Sequence, residues 1–280
     1  PSLASKTEQL RCRWVDDKMA EAGVARATSL GFPDAYAFTK ALGEIAVAES
    51  AGDVPISVVR PAIIESAHSE PSPGWIRGFR MAEPVIISYA RGLLKEFPGV
   101  PEGTVDVIPV DFVVAAICAV AARGPLGPDE GADIVQVASG SVNPLQYGHL
   151  VDMVREWFTE HPIYDEMGQP IAVPQWSFPG RGRVKKQLQR ATRTLERAQK
   201  IFEALPVRGR HAEVGVRLEE QRELIGRAEG YVDLYGAYAE CEAIYGLDHL
   251  LGLWDSLDDA DQAAFNFDPR VIDWSRYVPD

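Results

Sequence analysis

Helical and strand-like runs alternate along the first half of this chain, and that alternation restricts the fold more than any other feature. Residues 1–27 repeat apolar side chains at helical spacing through Leu10, Trp14, Val15 and Met19. Gly31-Phe32-Pro33-Asp34 breaks the repeat and feeds a second helix over 35–50, rich in Ala, Leu and Glu. Residues 54–61 contain the β-branched run Ile56-Ser57-Val58-Val59, which suits a buried strand. A Pro/Gly-rich loop covers 69–78. A strand over 105–110 then leads into a helix over 112–122, with Asp111 read as its N-cap, and a further strand covers 134–138. Such alternation predicts an α/β fold with a parallel sheet.

Beyond about residue 148 strand signals fade. Val184, Leu188, Ala191, Leu195, Ala198, Phe202 and Leu205 step by threes and fours, which predicts one amphipathic helix, and helical character continues over 218–245. The expected organisation is therefore an α/β region over 1–148 and a mostly helical region over 149–280.

Composition removes several classes. The longest apolar run is residues 112–122, too short to span a bilayer, where about 20 residues are needed. Cys12, Cys118 and Cys241 are few and scattered, which argues against a disulfide framework and for a reducing compartment, read as cytoplasmic. Cys118 sits in an apolar helix and reads as core. The five histidines show no paired ligand spacing, so no metal site is expected. The acidic group Asp255, Asp258, Asp259 and Asp261 reads as solvated or capping residues, since the spacing of a calcium loop is absent. A net charge of −13 disfavours nucleic acid. Within that acidic chain, residues 181–230 hold 13 Lys/Arg against 7 Asp/Glu. This island is either a mixed-charge solvated face or a site for anions, whether phosphate or a membrane surface.

Tyr36 and Lys40 form a Tyr-x-x-x-Lys pair. On a helix, residues four apart share a face. An ammonium brought within about 4 Å of a phenol favours phenolate by roughly 4 kcal/mol at an effective dielectric of ~20, or about 3 pKa units. A phenol tuned in this way can serve as general acid or base near neutral pH. Alone the pair is weak: with nine Tyr and seven Lys in 280 residues, about one chain in five would show it by chance.

The surroundings add weight. Residues 31–44, GFPDAYAFTKALGE, resemble the active-site helix of the fatty acyl-CoA reductases, which are extended short-chain dehydrogenase/reductases with a helical C-terminal domain. Val58-Val59-Arg60-Pro61-Ala62-Ile63-Ile64 is similar to that family's strand and turn beside the nicotinamide. Glu70-Pro71-Ser72-Pro73-Gly74-Trp75-Ile76 resembles its EPxPGW loop, and Val107-Ile108-Pro109-Val110-Asp111 its next strand-to-helix junction. Phe267-Asp268 with Ile272-Asp273-Trp274-Ser275-Arg276-Tyr277 resembles its closing motif, and residues 161–179 look like bacterial members.

The resemblance implies a Rossmann-like sheet followed by helices, and reduction of a fatty acyl-CoA or acyl-carrier thioester by NADPH to aldehyde or alcohol. It gives Tyr36 the role of proton donor and Lys40 that of holding the nicotinamide ribose and tuning Tyr36. It places Pro61 and Ile63 beside the nicotinamide, and Gly74 and Trp75 at the mouth of the acyl tunnel. Separately, the charge balance of the basic segment 181–230 alone suggests that it meets CoA phosphates or touches a membrane peripherally.

A dinucleotide site opens with a strand, a glycine-rich turn and a helix. No GxxGxxG precedes Tyr36 in this chain, and the 35 residues before it read as helix. The expectation is of the C-terminal part of a longer reductase, with a sheet edge left unpaired and poor NADPH binding by these residues alone. Two other readings stay open. One is an extended short-chain epimerase or dehydratase acting on a nucleotide sugar. The other is a non-catalytic remnant that binds an acyl chain or a partner.

Overall fold

A computed structural model of the chain describes residues 3–78, 83–92, 94–96, 99–126, 133–165, 167–180, 186, 189–190, 192–194 and 243–279. The chain divides into two compact units, Pro1–Ile56 and Ser57–Asp280. Most of the predicted helices over 218–245 and 184–205 and of the basic segment lies outside the described residues; residues 243–245, at the end of the first, are described and are not helical.

The first unit is a helical hairpin of α1 (Leu3–Ser29) and α2 (Ala35–Ser50). Helix α1 stops where Gly31 takes a φ of +84°. There the Phe32 amide donates back to the Ala27 carbonyl and the Gly31 amide to Thr28, a Schellman closure that needs a residue without Cβ strain. Helix α2 starts at Asp34, whose carboxylate accepts from the Ala37 amide at 2.7 Å. The rings of Phe32 and Phe38, 5.4 Å apart, pack across this entry. Both helices and the break between them fall where the apolar spacing puts them.

The second unit holds short paired strands. β1 (Ser57–Pro61) runs parallel to β5 (Asp133–Val137), with Val59 opposite Val135. β2 (Ile63–Glu65) runs parallel to β4 (Val107–Pro109), with Ile64 opposite Ile108. β3 (Thr104–Val105) pairs antiparallel with β6 (Leu145–Gln146). Between them lie α3 (Glu83–Ala90) and α4 (Val110–Arg123), and α5 (Tyr147–Glu160) follows β6. The molecule is thus mixed α/β with parallel strand pairs, as the alternation predicts. β1 is half-buried rather than fully buried.

The core of this unit gathers Ile108, Phe112, Val135, Val137 and Leu145 from the strands and α4. It also takes in Leu250, Phe267, Trp274 and Tyr277 from far downstream. Those residues sit on the helix Asp248–Asp255, on the turn Pro269–Val271 with its approach, and on the helix Trp274–Tyr277. Asn143 ties this return in place. Its amide donates to the carbonyls of Pro269 and Ile272, and its oxygens accept from the Trp274 indole. Asp258 caps the helix Asp259–Ala264 through the amides of Ala260 and Asp261, as a capping residue should.

Two details differ from the sequence reading. Cys118 is exposed, not core. Helix α4 is apolar almost all round, and its buried stripe is Phe112, Val113, Ala115, Ala116, Ala119 and Val120, which turns Val114, Ile117 and Cys118 outward. Asp111 is not the N-cap, which is Pro109; Asp111 lies inside the first turn with its carboxylate engaged elsewhere.

Candidate active site

Tyr36 and Lys40 lie on α2, in the first unit. Because Asp34 fixes where the helix begins, Tyr36 falls in the first turn and Lys40 one turn on, along one face. Both side chains are exposed, Tyr36 at 69%, which leaves phenol and ammonium free to meet a ligand.

Pro61, Ile63, Gly74 and Trp75 lie in the second unit. Pro61 ends β1 and Ile63 begins β2, so Ala62 marks the point where the chain changes partner. The Ala62 amide donates to Val137 of β5, and the Ile63 amide to the Asp106 carbonyl just before β4. This point is at the carboxyl end of a parallel strand, where open α/β sheets place ligands.

Seven residues on, the EPSPGW segment folds back on itself. The Ala67 amide donates to the Trp75 carbonyl at 2.8 Å, and the Gly74 amide returns to the Ala67 carbonyl at 3.0 Å. Gly74 has a φ of +72°, a conformation that suits glycine. Trp75 is 44% exposed and Ile76 stands beside it, also exposed.

The loop is held by a group that sequence reading assigned to another task. Asp111 Oδ1 accepts from the His68 amide at 2.9 Å, and Oδ2 from the amides of Ser69 at 2.8 Å and Glu70 at 3.0 Å and from the Ser69 hydroxyl. Burial opposes ionisation of Asp111, but the backbone donors His68, Glu70 and Ser69 outweigh it and hold the carboxyl below its ordinary range. On the other side the Tyr277 hydroxyl donates to the Ser66 carbonyl at 2.7 Å. Burial pushes the Tyr277 phenol well above its ordinary pKa, so it stays a donor. The His68 ring lies between Phe112, at 5.2 Å, and Tyr277, stacked at 6.4 Å. The only sequence signal for this arrangement is that Asp111 and Tyr277 each end a motif.

A separate hollow of about 200 Å3, lined by Ile134, Gln136, Gly246, Asp248 and His249, shares no residue with these positions. Among the described residues, no helix is long and apolar enough to cross a membrane.

Residues 3–117 match a family of NAD-binding domains described as male sterility protein. That stretch contains Tyr36, Lys40, Pro61, Ile63, Gly74, Trp75 and Asp111. Over 278 residues, 94% of this chain, it is 31% identical to the probable fatty acyl-CoA reductase 4 of Arabidopsis thaliana, of which it covers 53%. It is 30% identical over 279 residues to the alcohol-forming fatty acyl-CoA reductase of Simmondsia chinensis, again covering 94% of this chain and 53% of that one. A match of 38% over 159 residues to the chloroplastic fatty acyl-CoA reductase 2 of Arabidopsis thaliana covers 56% of this chain and 26% of the relative. The chain is similar to fatty acyl-CoA reductases along most of its length, and it spans about half the length of two of these relatives and a quarter of the third.

Proposed function

We propose that this chain carries the Tyr/Lys and acyl-binding part of an NADPH-dependent reductase, which converts a fatty acyl-CoA or acyl-carrier thioester to an aldehyde or alcohol. The observation that supports this most is the exposed Tyr36–Lys40 pair on a capped helix, within the stretch that matches an NAD-binding family. The residues present fit one end of a dinucleotide. A phenol and an ammonium on one helical face suit a ribose and a carbonyl oxygen, and Pro61 and Ile63 stand at a strand end of the kind such cofactors use. When bound, the nicotinamide supplies hydride to the acyl carbon. Tyr36 would give its proton to the developing alkoxide, the resulting hemithioacetal would break its C–S bond to release the CoA or carrier thiol and leave the aldehyde, and Lys40 would favour the phenolate left behind and hold the ribose. Gly74 and Trp75 shape the entrance for the acyl chain.

Several finer points belong to the same reading. The strand pairs would be part of a Rossmann-like sheet, with residues 149–280 forming a helical unit over the acyl chain. The work would be cytoplasmic. The basic segment 181–230 would face CoA phosphates or an anionic membrane surface, and charge reversal at Lys185 and Lys186 should then weaken acyl-CoA or vesicle binding.

The test is NADPH oxidation with palmitoyl-CoA by the native gene product at its full length. Replacing Tyr36→Phe should lower kcat by about 10²–10⁴-fold with KM for the thioester little changed. Retention of activity within threefold removes Tyr36 from the chemistry, and product analysis separates a thioester reductase from a nucleotide-sugar epimerase or dehydratase. One observation favours a second, non-catalytic reading: these 280 residues contain no GxxGxxG. Binding of palmitoyl-CoA without any NADPH-dependent turnover by the native product would select it.

A further inference from the structure

The closing motif around Trp274 and Tyr277 has no part in the chemistry above, yet its side chains end at the EPSPGW loop. Tyr277 donates to Ser66, at the start of the 66–76 loop that contains this segment, and stacks on His68 within it. Trp274, edge-on to Tyr277 with centroids 5.7 Å apart, is itself anchored through its indole N–H to Asn143. From the other side Asp111 gathers three consecutive loop amides and one hydroxyl on a single carboxylate. The stem of the loop is thus held at two points, Ser66 and residues 68–70, while Trp75 and Ile76 at its far end stay exposed.

We propose that Asp111 and Tyr277 are positioning residues that together fix the 66–76 loop, so that the last helix of the described chain sets the opening through which an acyl chain passes. The grip on the loop stands on geometry alone; its consequence for acyl chains rests on the proposed role of Gly74 and Trp75. Neither side chain touches the reacting atoms. Asp111 acts through the loop backbone, and Tyr277 through Ser66 and the His68 ring. A charge-assisted hydrogen bond is the stronger kind, and three amides converging on one carboxylate leave the loop stem one arrangement. Loss of either grip frees the stem without unmaking the strands below it.

The experiment is amide hydrogen exchange on the whole chain, with Asp111→Asn, Asp111→Ala and Tyr277→Phe. Asn keeps the volume and one acceptor, and Phe removes only the hydroxyl, so both variants should fold. Exchange at Ala67, His68, Ser69, Glu70 and Gly74 should rise by about tenfold or more, the factor one such hydrogen bond is worth, and further in Asp111→Ala. Exchange across β5, residues 133–137, should stay within about twofold. In parallel, affinity for palmitoyl-CoA should fall by about fivefold while affinity for CoA itself holds, which a general loss of stability would not produce. Unchanged exchange in the loop overturns the proposal, as does an equal rise in β5. A loosened loop with full palmitoyl-CoA affinity overturns its role in substrate passage. In a chain that binds no palmitoyl-CoA at all, the acyl reading of Gly74 and Trp75 falls, and the exchange pattern alone upholds or overturns the grip.

Discussion

Asp111 shows how much one carboxylate can organise. It sits in the first turn of α4, where the helix dipole also favours a negative charge. Its folded pKa is below the unfolded value of about 3.9, so its contribution is present above that value and lost as pH falls through the folded pKa. The amide resonances of His68, Ser69 and Glu70 should therefore shift together below about pH 4, and Asp111→Asn should flatten that step; a step that survives unchanged in the variant would show that Asp111 is not its source. None of this was legible along the chain, because the partners of Asp111 lie 41 to 43 residues away. Asp34 is the contrast. Its partner, Ala37, is three residues on, and the sequence signal of a cap is local by nature. Cys118 was misread for a third reason: hydropathy cannot say which side of an all-apolar helix meets the core.

At the scale of elements, periodicity located what it could. α1, α2, the strand before Pro61, the loop over 69–78, α4 and β5 stand where spacing and turn residues put them, to within a few residues at their ends. What spacing could not give was pairing. The run from Ser57 to Glu65 reads as one strand and a turn, but its two halves pair with different partners, β5 and β4. The change of partner is secured by Asp106, which gives its carbonyl to Ile63 while its Oδ1 accepts from the Ser139 and Gly140 amides. That junction has no room to spare. A Cβ at Gly140 would sit 2.7 Å from Asp106 Oδ2 and 3.1 Å from Cγ. Gly140→Ala should cost about 1–3 kcal/mol, seen as a lower urea midpoint at unchanged m; an unchanged midpoint would mean the turn relaxes freely. Phe112→Ala, at a site 1% exposed, should cost more, about 3–5 kcal/mol.

The candidate residues fall in two compact units. Tyr36 and Lys40 belong to the helical hairpin, and the strand end and the EPSPGW loop to the α/β unit. These 280 residues hold no GxxGxxG, so calorimetry on them should show no micromolar NADPH binding. A micromolar Kd would require another phosphate site, with the segment 181–230 the first place to look. The motif at 267–277 was visible as a motif, but its place in the core was not, because contact across such a span leaves no periodic trace in the sequence. The same span matters during synthesis. Ser66 and Tyr277 are 211 residues apart. At about 5–20 residues per second, roughly 10 to 40 seconds pass between the loop leaving the ribosome and the arrival of the tyrosine that closes it. Through that interval the exposed Trp75 and Ile76 belong to an unfinished surface, and it is there that a chaperone has its opportunity.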